Sequence, residues 1–335
     1  MRPCRRFHSA RSLTGLAQAR HRVRHTPQRR SFASTALRPQ DHDPRIRELG
    51  REISDDYAAI RDSYQTPKYP IVLAHGLLGF SELQLTPLLP SVQYWHGIRD
   101  ALAVQGARVI CASVPPSSSI EDRAKKLRED IDAAASTTRD GRVNIIAHSM
   151  GGLDARYMIS HLPPKYVDIA SLVTVASPHR GSSFADVLLQ EDGQALVHLP
   201  KLYGLIERFG LGTAAFAQLT TSHMTKVFNP ATPDSPSTRY FSYGASTTEP
   251  PLLSPFRQSW HAITKAEGAN DGLVAVDSSC WGDYKGTLVG VSHLDLINWS
   301  NQVKWMVREW MGMKRTFNAI AFYLDVADML AKEGL

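Results

Sequence analysis

The stretch Asn144–Tyr157, "NIIAHSMGGLDARY", decides the fold. It begins with the apolar residues of a buried strand and ends with the spacing of a helix. Between the two stands Ser149, with the small residues Ala147, Gly151 and Gly152 around it. Small neighbours are needed where a strand turns sharply into a helix, because larger side chains would collide there. The stretch therefore predicts a tight strand–serine–helix turn.

The chain around this turn alternates between apolar strands and helices. Strands are predicted in "YPIVLAHG" (69–76), "ARVICASV" (107–114), "RVNIIAHS" (142–149) and "ASLVTVAS" (170–177). Helices are predicted in "SVQYWHGIRDALAVQG" (91–106), "SIEDRAKKLREDIDAAAS" (119–136) and "MGGLDARYMISHL" (150–162). Strands and helices that alternate in this way predict an α/β fold, with a mostly parallel central sheet covered by helices on both faces.

Ser149 occupies the position that such a fold gives to a nucleophile, at the turn between a strand and a helix. A serine hydroxyl becomes reactive when a histidine takes its proton and a carboxylate orients that histidine. In this setting the chain order is serine, acid, histidine. The turn therefore predicts a serine nucleophile, and a tight turn without chemistry is the alternative.

The acid is expected in the stretch "GANDGLVAVDSS" (268–279). It places Asp271 in an Asn-Asp-Gly turn just before a short apolar run, beside the predicted sheet. Asp271 is therefore the preferred acid, and Asp277 and Asp295 are its rivals. An Asx-turn with no catalytic part is the structural alternative for Asp271.

The base is expected in the stretch "VGVSHLDLINW" (289–299), where His293 stands in a loop after a strand-like segment. Three other histidines are set aside. His179 precedes every candidate acid, His75 is interpreted as structural, and His148 is expected to pack with its ring directed away from the neighbouring serine.

A negative oxygen in the reaction intermediate would need preorganised donors. One is expected to be the backbone N–H of Met150, the residue after the serine. The other is expected in the loop after the first core strand, "HGLLGF" (75–80), with the N–H of Leu77 as the candidate.

Six stretches then carry a resemblance to a known family. They are "YPIVLAHGLLGF", "YWHGIRDALAVQGARV", "AHSMGGLDARYM", "VASPHRGSSFAD", "NDGLVAVDSS" and "HLDLINW". In this order they resemble the bacterial true lipases of the Pseudomonas and Burkholderia type, and the whole resembles the fungal mitochondrial triacylglycerol lipases. The resemblance covers Tyr69–Trp299. It implies an α/β-hydrolase fold, hydrolysis of carboxylic esters, the triad Ser149, Asp271 and His293, and the two backbone donors named above.

The resemblance also raises the question of a calcium ion. The bacterial enzymes use a carboxylate two residues after the catalytic histidine, and Asp295 matches it. The next ligand, a glutamine four residues further on, is Trp299 here, and the segment "EPPLLSPF" (249–256) replaces the one that would hold another carboxylate. We therefore predict no metal and no cofactor, with Asp295 a calcium candidate by position alone.

The N-terminal residues 1–40 carry charge of one sign, with ten Arg and no Lys, Asp or Glu. Removing these ten from the 38 basic residues leaves 28, against 32 acidic ones, so the net charge of +6 gives no reason to expect nucleic-acid binding. An Arg-rich, Ser-containing and acid-free N-terminus is typical of a mitochondrial presequence. Residues 1–32 are predicted to be one, which places the protein in the mitochondrial matrix. A disordered basic tail is the alternative.

Two further segments complete the predicted organisation. Residues 33–68 are expected to form an N-terminal helix, over Asp43–Tyr64, and a linker. Residues 69–335 are expected to form the hydrolase domain. Between about 183 and 238 the apolar, helix-prone chain leaves the sheet, where lipases carry a lid; a permanently packed helical cap is the alternative.

The sequence thus predicts a serine lipase that hydrolyses triacylglycerol and diacylglycerol esters through an acyl-enzyme. The expected partner is an acylglycerol or other lipid ester at a lipid–water interface, with peripheral membrane contact. No stretch reaches the roughly 18 consecutive apolar residues of a spanning helix. A phospholipase or acyltransferase with the same triad, a short-chain esterase or thioesterase, and a non-catalytic lipid-binding relative are the alternatives.

Overall fold

Seven parallel strands form one sheet in the computed structural model, which describes residues 45–54, 56–77, 94–138, 141–189, 213–252, 254, 256–298 and 317–335. The strands are β1 Glu52–Ile53, β2 Ile71–Ala74, β3 Val109–Cys111, β4 Arg142–His148, β5 Asp168–Val175, β6 Arg239–Ser246 and β7 Asp283–Val289. Their order across the sheet is β1-β7-β6-β5-β4-β2-β3, and every pair of neighbours is parallel. The predicted parallel sheet is therefore confirmed.

Strand β4 lies inside the sheet, between β2 and β5. Ile145 stands opposite Val72 on one side and Leu172 on the other, and all three are fully buried. Strands with helices on both faces need apolar residues at most positions, which explains the buried apolar residues 145–147 of β4. Its carboxyl end, and with it the serine turn, is consequently held in the middle of the sheet.

Eleven described helices accompany the sheet. They are α1 Arg45–Leu49, α2 Ile98–Val104, α3 Ile120–Ala133, α4 Gly151–His161, α5 Ser183–Leu189, α6 Thr213–Gln218, α7 Thr221–His223, α8 Asn229–Ala231, α9 Arg257–Ala266, α10 Val276–Ser279 and α11 Ala319–Lys332. A π-helical turn, Met224–Phe228, joins α7 to α8. Helix α3 is capped at its start, since the Ser119 hydroxyl accepts a hydrogen bond from the N–H of Asp122 at 3.2 Å.

The N-terminal segment differs from its prediction. The helix expected over Asp43–Tyr64 is wrong beyond Leu49, because Gly50 adopts a φ of 137° and the chain then forms β1. Strand β1 pairs with β7 at the edge of the sheet, with Ile53 opposite Leu288. A segment whose charged residues have helical spacing therefore forms a strand, because it pairs with a distant part of the chain.

The insertion predicted at about 183–238 lies between β5 and β6, and its described parts are helical over 183–189, 213–218 and 221–231. Residues 190–212 lie outside the described residues, as does the predicted presequence 1–32. The last helix, α11, is buried in the apolar core along most of its length, so its amphipathic pattern serves packing. Across the described parts of the chain, no helix combines the length and the apolar character that crossing a membrane requires.

Candidate active site

Ser149 stands in the turn between β4 and α4 with a φ of 56°. Residues other than glycine seldom adopt this left-handed conformation, and such strain concentrates at functional sites. The backbone is held there from one side by a hydrogen bond of 3.0 Å from the N–H of Ser149 to the carbonyl of Val175. On the other side, a Cβ on Gly151 would come within 2.7 Å of the carbonyl oxygens of Ala74 and His75.

Two further glycines are equally constrained. A Cβ on Gly152 would lie 2.2 Å from the hydroxyl of Ser177, which donates a hydrogen bond of 2.7 Å to the carbonyl of Ser149. A Cβ on Gly76 would lie 2.7 Å from the Cβ of Ser149. The expected need for small residues around the serine is confirmed, and the loop after β2 runs directly against the serine side chain.

Asp271 and His293 form a buried hydrogen-bonded pair. The Nδ1 of His293 lies 2.6 Å from Oδ2 of Asp271, and the carboxylate is fully buried. The other carboxylate oxygen, Oδ1, accepts from the N–H groups of Leu273 and Val274 at 2.9 and 2.8 Å. Because an ionised carboxylate only accepts, Nδ1 carries the proton and Nε2 keeps a free lone pair. The pair therefore presents a proton acceptor whose orientation is fixed.

The rival acids are placed differently. Asp277 is exposed at the start of α10. Oδ2 of Asp295 accepts from the N–H and the hydroxyl of Ser292, at 3.0 and 2.6 Å. Of the three candidates, the structure gives the hydrogen bond with His293 to Asp271.

The serine turn lies next to the Asp–His pair. The ring of His148, the residue before Ser149, has its centroid 4.5 Å from that of His293. The hydrogen bonds between described residues include none from the hydroxyl of Ser149 to His293. Such contacts are often long in enzymes without substrate and shorten when it binds. The structure therefore brings the three predicted residues to one place and joins two of them directly.

Leu77 and Met150 also come together. Met150 is fully buried at the start of α4, and Leu77 packs against the apolar cluster that contains it. Neither backbone N–H donates in any hydrogen bond between described residues. Within the described part of the chain, these two N–H groups are therefore available as donors close to the serine, as an oxyanion site requires.

A buried ion pair holds the loop that carries Leu77. The guanidinium of Arg123 bonds to the carboxylate of Asp154 at 2.7 Å and donates to the carbonyls of His75 and Gly76 at 2.8 and 3.2 Å. Both side chains of the pair are at most 1% exposed. Arg123 thereby fixes where the two carbonyls before Leu77 point. Nothing in the sequence predicts this contribution, because Arg123 is distinguished only by its place in a charged helix.

Tyr94 and His148 form a second buried contact that the sequence did not reveal. The hydroxyl of Tyr94 lies 2.6 Å from Nδ1 of His148 and accepts from the N–H of Gly76 at 3.0 Å. Burial, with a smaller contribution from His293, holds the pKa of His148 well below its usual value. His148 is packed, as predicted, but its ring lies against His293 and not away from the site.

His75 and His179, which are not expected to be catalytic, make contacts with structural groups. Nε2 of His75 accepts from the N–H of Val114 at 3.2 Å, and burial, aided by Arg123, lowers the pKa of His75 to about 4. His179 is buried, stacks on Trp281 and lies 3.0 Å from the hydroxyl of Thr174.

Within the described parts of the chain, no three His, Cys, Asp or Glu side chains are grouped as a metal site. Asp295, the calcium candidate, is engaged by Ser292, and Trp299 lies outside the described residues.

A parallel sheet, a strained serine at the end of a central strand and a buried Asp–His pair beside it define the α/β-hydrolase class of enzymes. Residues 69–250 match the family described as alpha/beta hydrolase fold. Triacylglycerol lipase 2 of Saccharomyces cerevisiae is 35% identical over 84% of this chain and 97% of its own length. A triacylglycerol lipase of Vibrio cholerae is 31% identical over 72% of this chain and 83% of its own length.

A solved structure gives the same fold. The mature form of the Bacillus licheniformis lipase BlEst2 superposes with a TM-score of 0.56 at 20% identity, over 77% of this chain and 96% of that one. The chain belongs to the α/β-hydrolase fold family and, within it, to the family of the triacylglycerol lipases described above. It is a hydrolase of the lipase class, and the family resemblance seen in the sequence is confirmed.

Proposed function

We propose that the protein hydrolyses triacylglycerol and diacylglycerol esters, with Ser149 as nucleophile, His293 as base and Asp271 as the orienting acid. The observation that carries the proposal is the 2.6 Å hydrogen bond of the buried Asp271 with His293, beside the strained turn of Ser149. The names of the relatives support the choice of acylglycerols.

The reaction follows from this arrangement in two halves. The hydroxyl of Ser149 attacks the ester carbonyl while Nε2 of His293 takes its proton, and Asp271 stabilises the resulting imidazolium. The carbonyl oxygen becomes negative and is held by the N–H groups of Leu77 and Met150. His293 then protonates the departing alcohol, which leaves the acyl group on Ser149. Water activated by His293 releases the fatty acid and restores the serine.

The surroundings of the two donors favour an apolar acyl group. Leu77 packs against a buried apolar cluster built from several elements. The members of this cluster are Ile120, Met150, Leu153, Ala185, Ala215, Leu219, Met224 and Phe228. Part of this cluster comes from the helices of the insertion between β5 and β6. We propose that the insertion contacts the acyl chain and the lipid–water interface, through the apolar stretch Leu199–Phe216, most of which lies outside the described residues.

The decisive test is Ser149→Ala. The variant should keep the wild-type melting temperature and lose turnover by a factor of at least about 10⁴, because the hydroxyl forms the covalent intermediate. A fluorophosphonate probe should label Ser149 in the wild type and nothing in the variant. Ser160→Ala, near the other end of α4, is the matched control and should retain full activity. Substantial turnover by folded Ser149→Ala would exclude the mechanism.

The same preparation decides the substrate class. Wild-type rates should be higher on emulsified tri- and diacylglycerols than on phospholipids or acyl-thioesters. A phospholipid hydrolysed faster than either acylglycerol would replace the proposed substrate and leave the triad in place.

We also propose that catalysis needs no calcium, since Ser292 already donates twice to Asp295 and the side chain of Trp299 offers no oxygen ligand. Incubation with a chelator should leave the rate within about 20% of its starting value and the melting temperature within about 1 °C. A loss of 1 kcal/mol in the free energy of unfolding would already lower the melting temperature by roughly 2–4 °C, so the measurement would detect it. A large loss that calcium alone restores would show that other residues complete a site.

Finally, we propose that the protein acts in the mitochondrial matrix. The support is the charge of residues 1–40, with ten Arg and no acidic residue.

A further inference from the structure

Three buried groups are connected beside the candidate active site. The N–H of Gly76 lies 3.0 Å from the hydroxyl oxygen of Tyr94, and that oxygen lies 2.6 Å from Nδ1 of His148. Tyr94 and His148 are at most 4% exposed. Neither belongs to the catalytic groups of the proposed function, so their connection requires another explanation.

The chemistry of the groups fixes the direction of the first hydrogen bond. A backbone N–H can only donate, so the oxygen of Tyr94 accepts from Gly76. The hydroxyl keeps its proton and a second acceptor site, so its contact with Nδ1 of His148 fits either tautomer of a neutral ring. In the arrangement proposed below, Tyr94 donates to Nδ1 and the proton of His148 is on Nε2. Burial lowers the pKa of His148 and so favours the neutral ring.

The connected residues stand next to the catalytic ones. Gly76 immediately precedes Leu77, and His148 immediately precedes Ser149. Tyr94 therefore joins the loop that carries one oxyanion donor to the strand end that carries the nucleophile. These two elements already touch, since a Cβ on Gly76 would meet the Cβ of Ser149 at 2.7 Å and the Tyr94 hydroxyl at 3.1 Å.

The contact of Tyr94 with His148 also affects the surroundings of the base, His293. The ring of His148 lies 4.5 Å from that of His293, which becomes positive in each half of the reaction. A second positive charge at this distance would oppose the proton transfer to His293. Burial disfavours that charge. A Tyr94 hydroxyl that donates to Nδ1 would also occupy the lone pair that a second proton on His148 needs.

We propose that Tyr94 is a positioning residue, which acts through Gly76 to set the N–H of Leu77 against Ser149 and through His148 to keep a neutral ring beside His293. The proposal rests on the proposed serine mechanism. It assigns Tyr94 no contact with the reacting atoms.

Packing makes the proposal testable by a single substitution. The ring of Tyr94 is fixed by an edge contact with Trp95 at 5.3 Å, and Trp95 makes another with Tyr323 at 5.4 Å. Tyr94→Phe should therefore keep the ring in place and remove the hydroxyl alone. Tyr323→Phe is the matched control, because it removes a buried hydroxyl that has no hydrogen-bond partner in the described structure, from a ring that also packs on Trp95.

In Tyr94→Phe we expect kcat to fall roughly ten- to a hundredfold with KM within about twofold. This is less than the hundred- to thousandfold loss that follows removal of an oxyanion donor itself. The rate of Ser149 phosphonylation should fall in parallel, because the phosphoryl oxygen occupies the same donors. Tyr323→Phe should leave both rates at the wild-type level. An unchanged kcat in Tyr94→Phe, a rise in KM alone, or an equal loss in Tyr323→Phe would overturn the proposal.

A second measurement needs no substitution. Nitrogen-15 NMR of the wild-type histidines should show His148 as the neutral form with a protonated Nε2 and a hydrogen-bonded, unprotonated Nδ1. A proton on Nδ1 would overturn the proposal whether or not Tyr94→Phe folds. Absence of probe labelling at Ser149 in the wild type would instead refute the serine mechanism, so the two failures are distinguishable.

Discussion

At the scale of single residues, the Asp271 carboxylate does two things that an amide cannot do together. Its charge would stabilise a positive His293, and its Oδ2 accepts the proton of Nδ1. Its other oxygen is already occupied by the N–H groups of Leu273 and Val274, so the carboxylate cannot rotate without losing two hydrogen bonds. In Asp271→Asn those two donors would keep the amide oxygen, and the NH₂ group would face His293.

Asp271→Asn should accordingly lower kcat by about 10⁴, because an NH₂ facing Nδ1 forces the histidine proton onto Nε2, where the base must accept. The fold should survive, since the amide oxygen can still accept from both backbone donors. The measurement is kcat together with the melting temperature, and Asp295→Asn is the matched control with an expected change below about threefold. If folded Asp295→Asn loses more activity than Asp271→Asn, the acid has been misassigned.

At the scale of elements, the contact between α4 and the end of β5 determines where the serine stands. Gly152, in the first turn of α4, leaves room for Ser177, whose hydroxyl donates to the carbonyl of Ser149. A methyl group at position 152 would meet that hydroxyl at 2.2 Å and the Cγ2 of Thr174 at 2.9 Å. Helix and strand would have to separate, and the nucleophile would move with the helix.

Gly152→Ala should therefore destabilise the protein by about 1–3 kcal/mol, the usual cost of overpacking, and reduce kcat in the fraction that remains folded. Chemical denaturation measures the loss of stability. The lower kcat is measured as the rate per active site, with the sites counted by titration with the phosphonate probe. Adding Ser177→Gly removes the atoms that collide most closely, so the double variant should recover part of the stability lost in Gly152→Ala. Strictly additive losses in the two substitutions would show that the collision is not the cause.

Some of these structural features could be predicted from the sequence, and others could not. Strands β2 to β5, the capped start of α3 and the serine turn follow from local patterns, which apolar runs and small residues impose on neighbouring positions. The contact of Tyr94 with His148 joins positions 54 residues apart and leaves no pattern in either stretch. Strand β1 was missed for the same reason, since it forms only by pairing with β7. Asp271 and His293, which the structure joins by a hydrogen bond, could be predicted as a pair because turn chemistry and chain order restrict where an acid and a base can be.

At the scale of the whole molecule, the excess of positive charge lies in residues 1–40 of the sequence. The chain divides into Met1–Asp41, which lies outside the described residues, and His42–Leu335, which contains the sheet and all the candidate site residues. Removing the ten Arg of residues 1–40 leaves a chain with more acidic than basic side chains. A charge distribution of this kind is expected where one segment serves transport and the other serves chemistry.

Residues 1–40 fused to a fluorescent reporter should therefore carry it into the mitochondrial matrix. A negative-inside membrane potential lowers the free energy of each inward-moving positive charge by about 2.3 kcal/mol per 100 mV, and these residues offer ten Arg with no acidic residue to offset them. The matched control replaces every Arg in the segment by Gln, which keeps its length and polarity but removes the charge, and that reporter should stay in the cytosol. Microscopy with a matrix marker and protease protection of isolated mitochondria measure the outcome. A cytosolic location for the Arg-containing reporter would refute the proposed mitochondrial localisation. It would not affect the hydrolase mechanism proposed for residues 42–335.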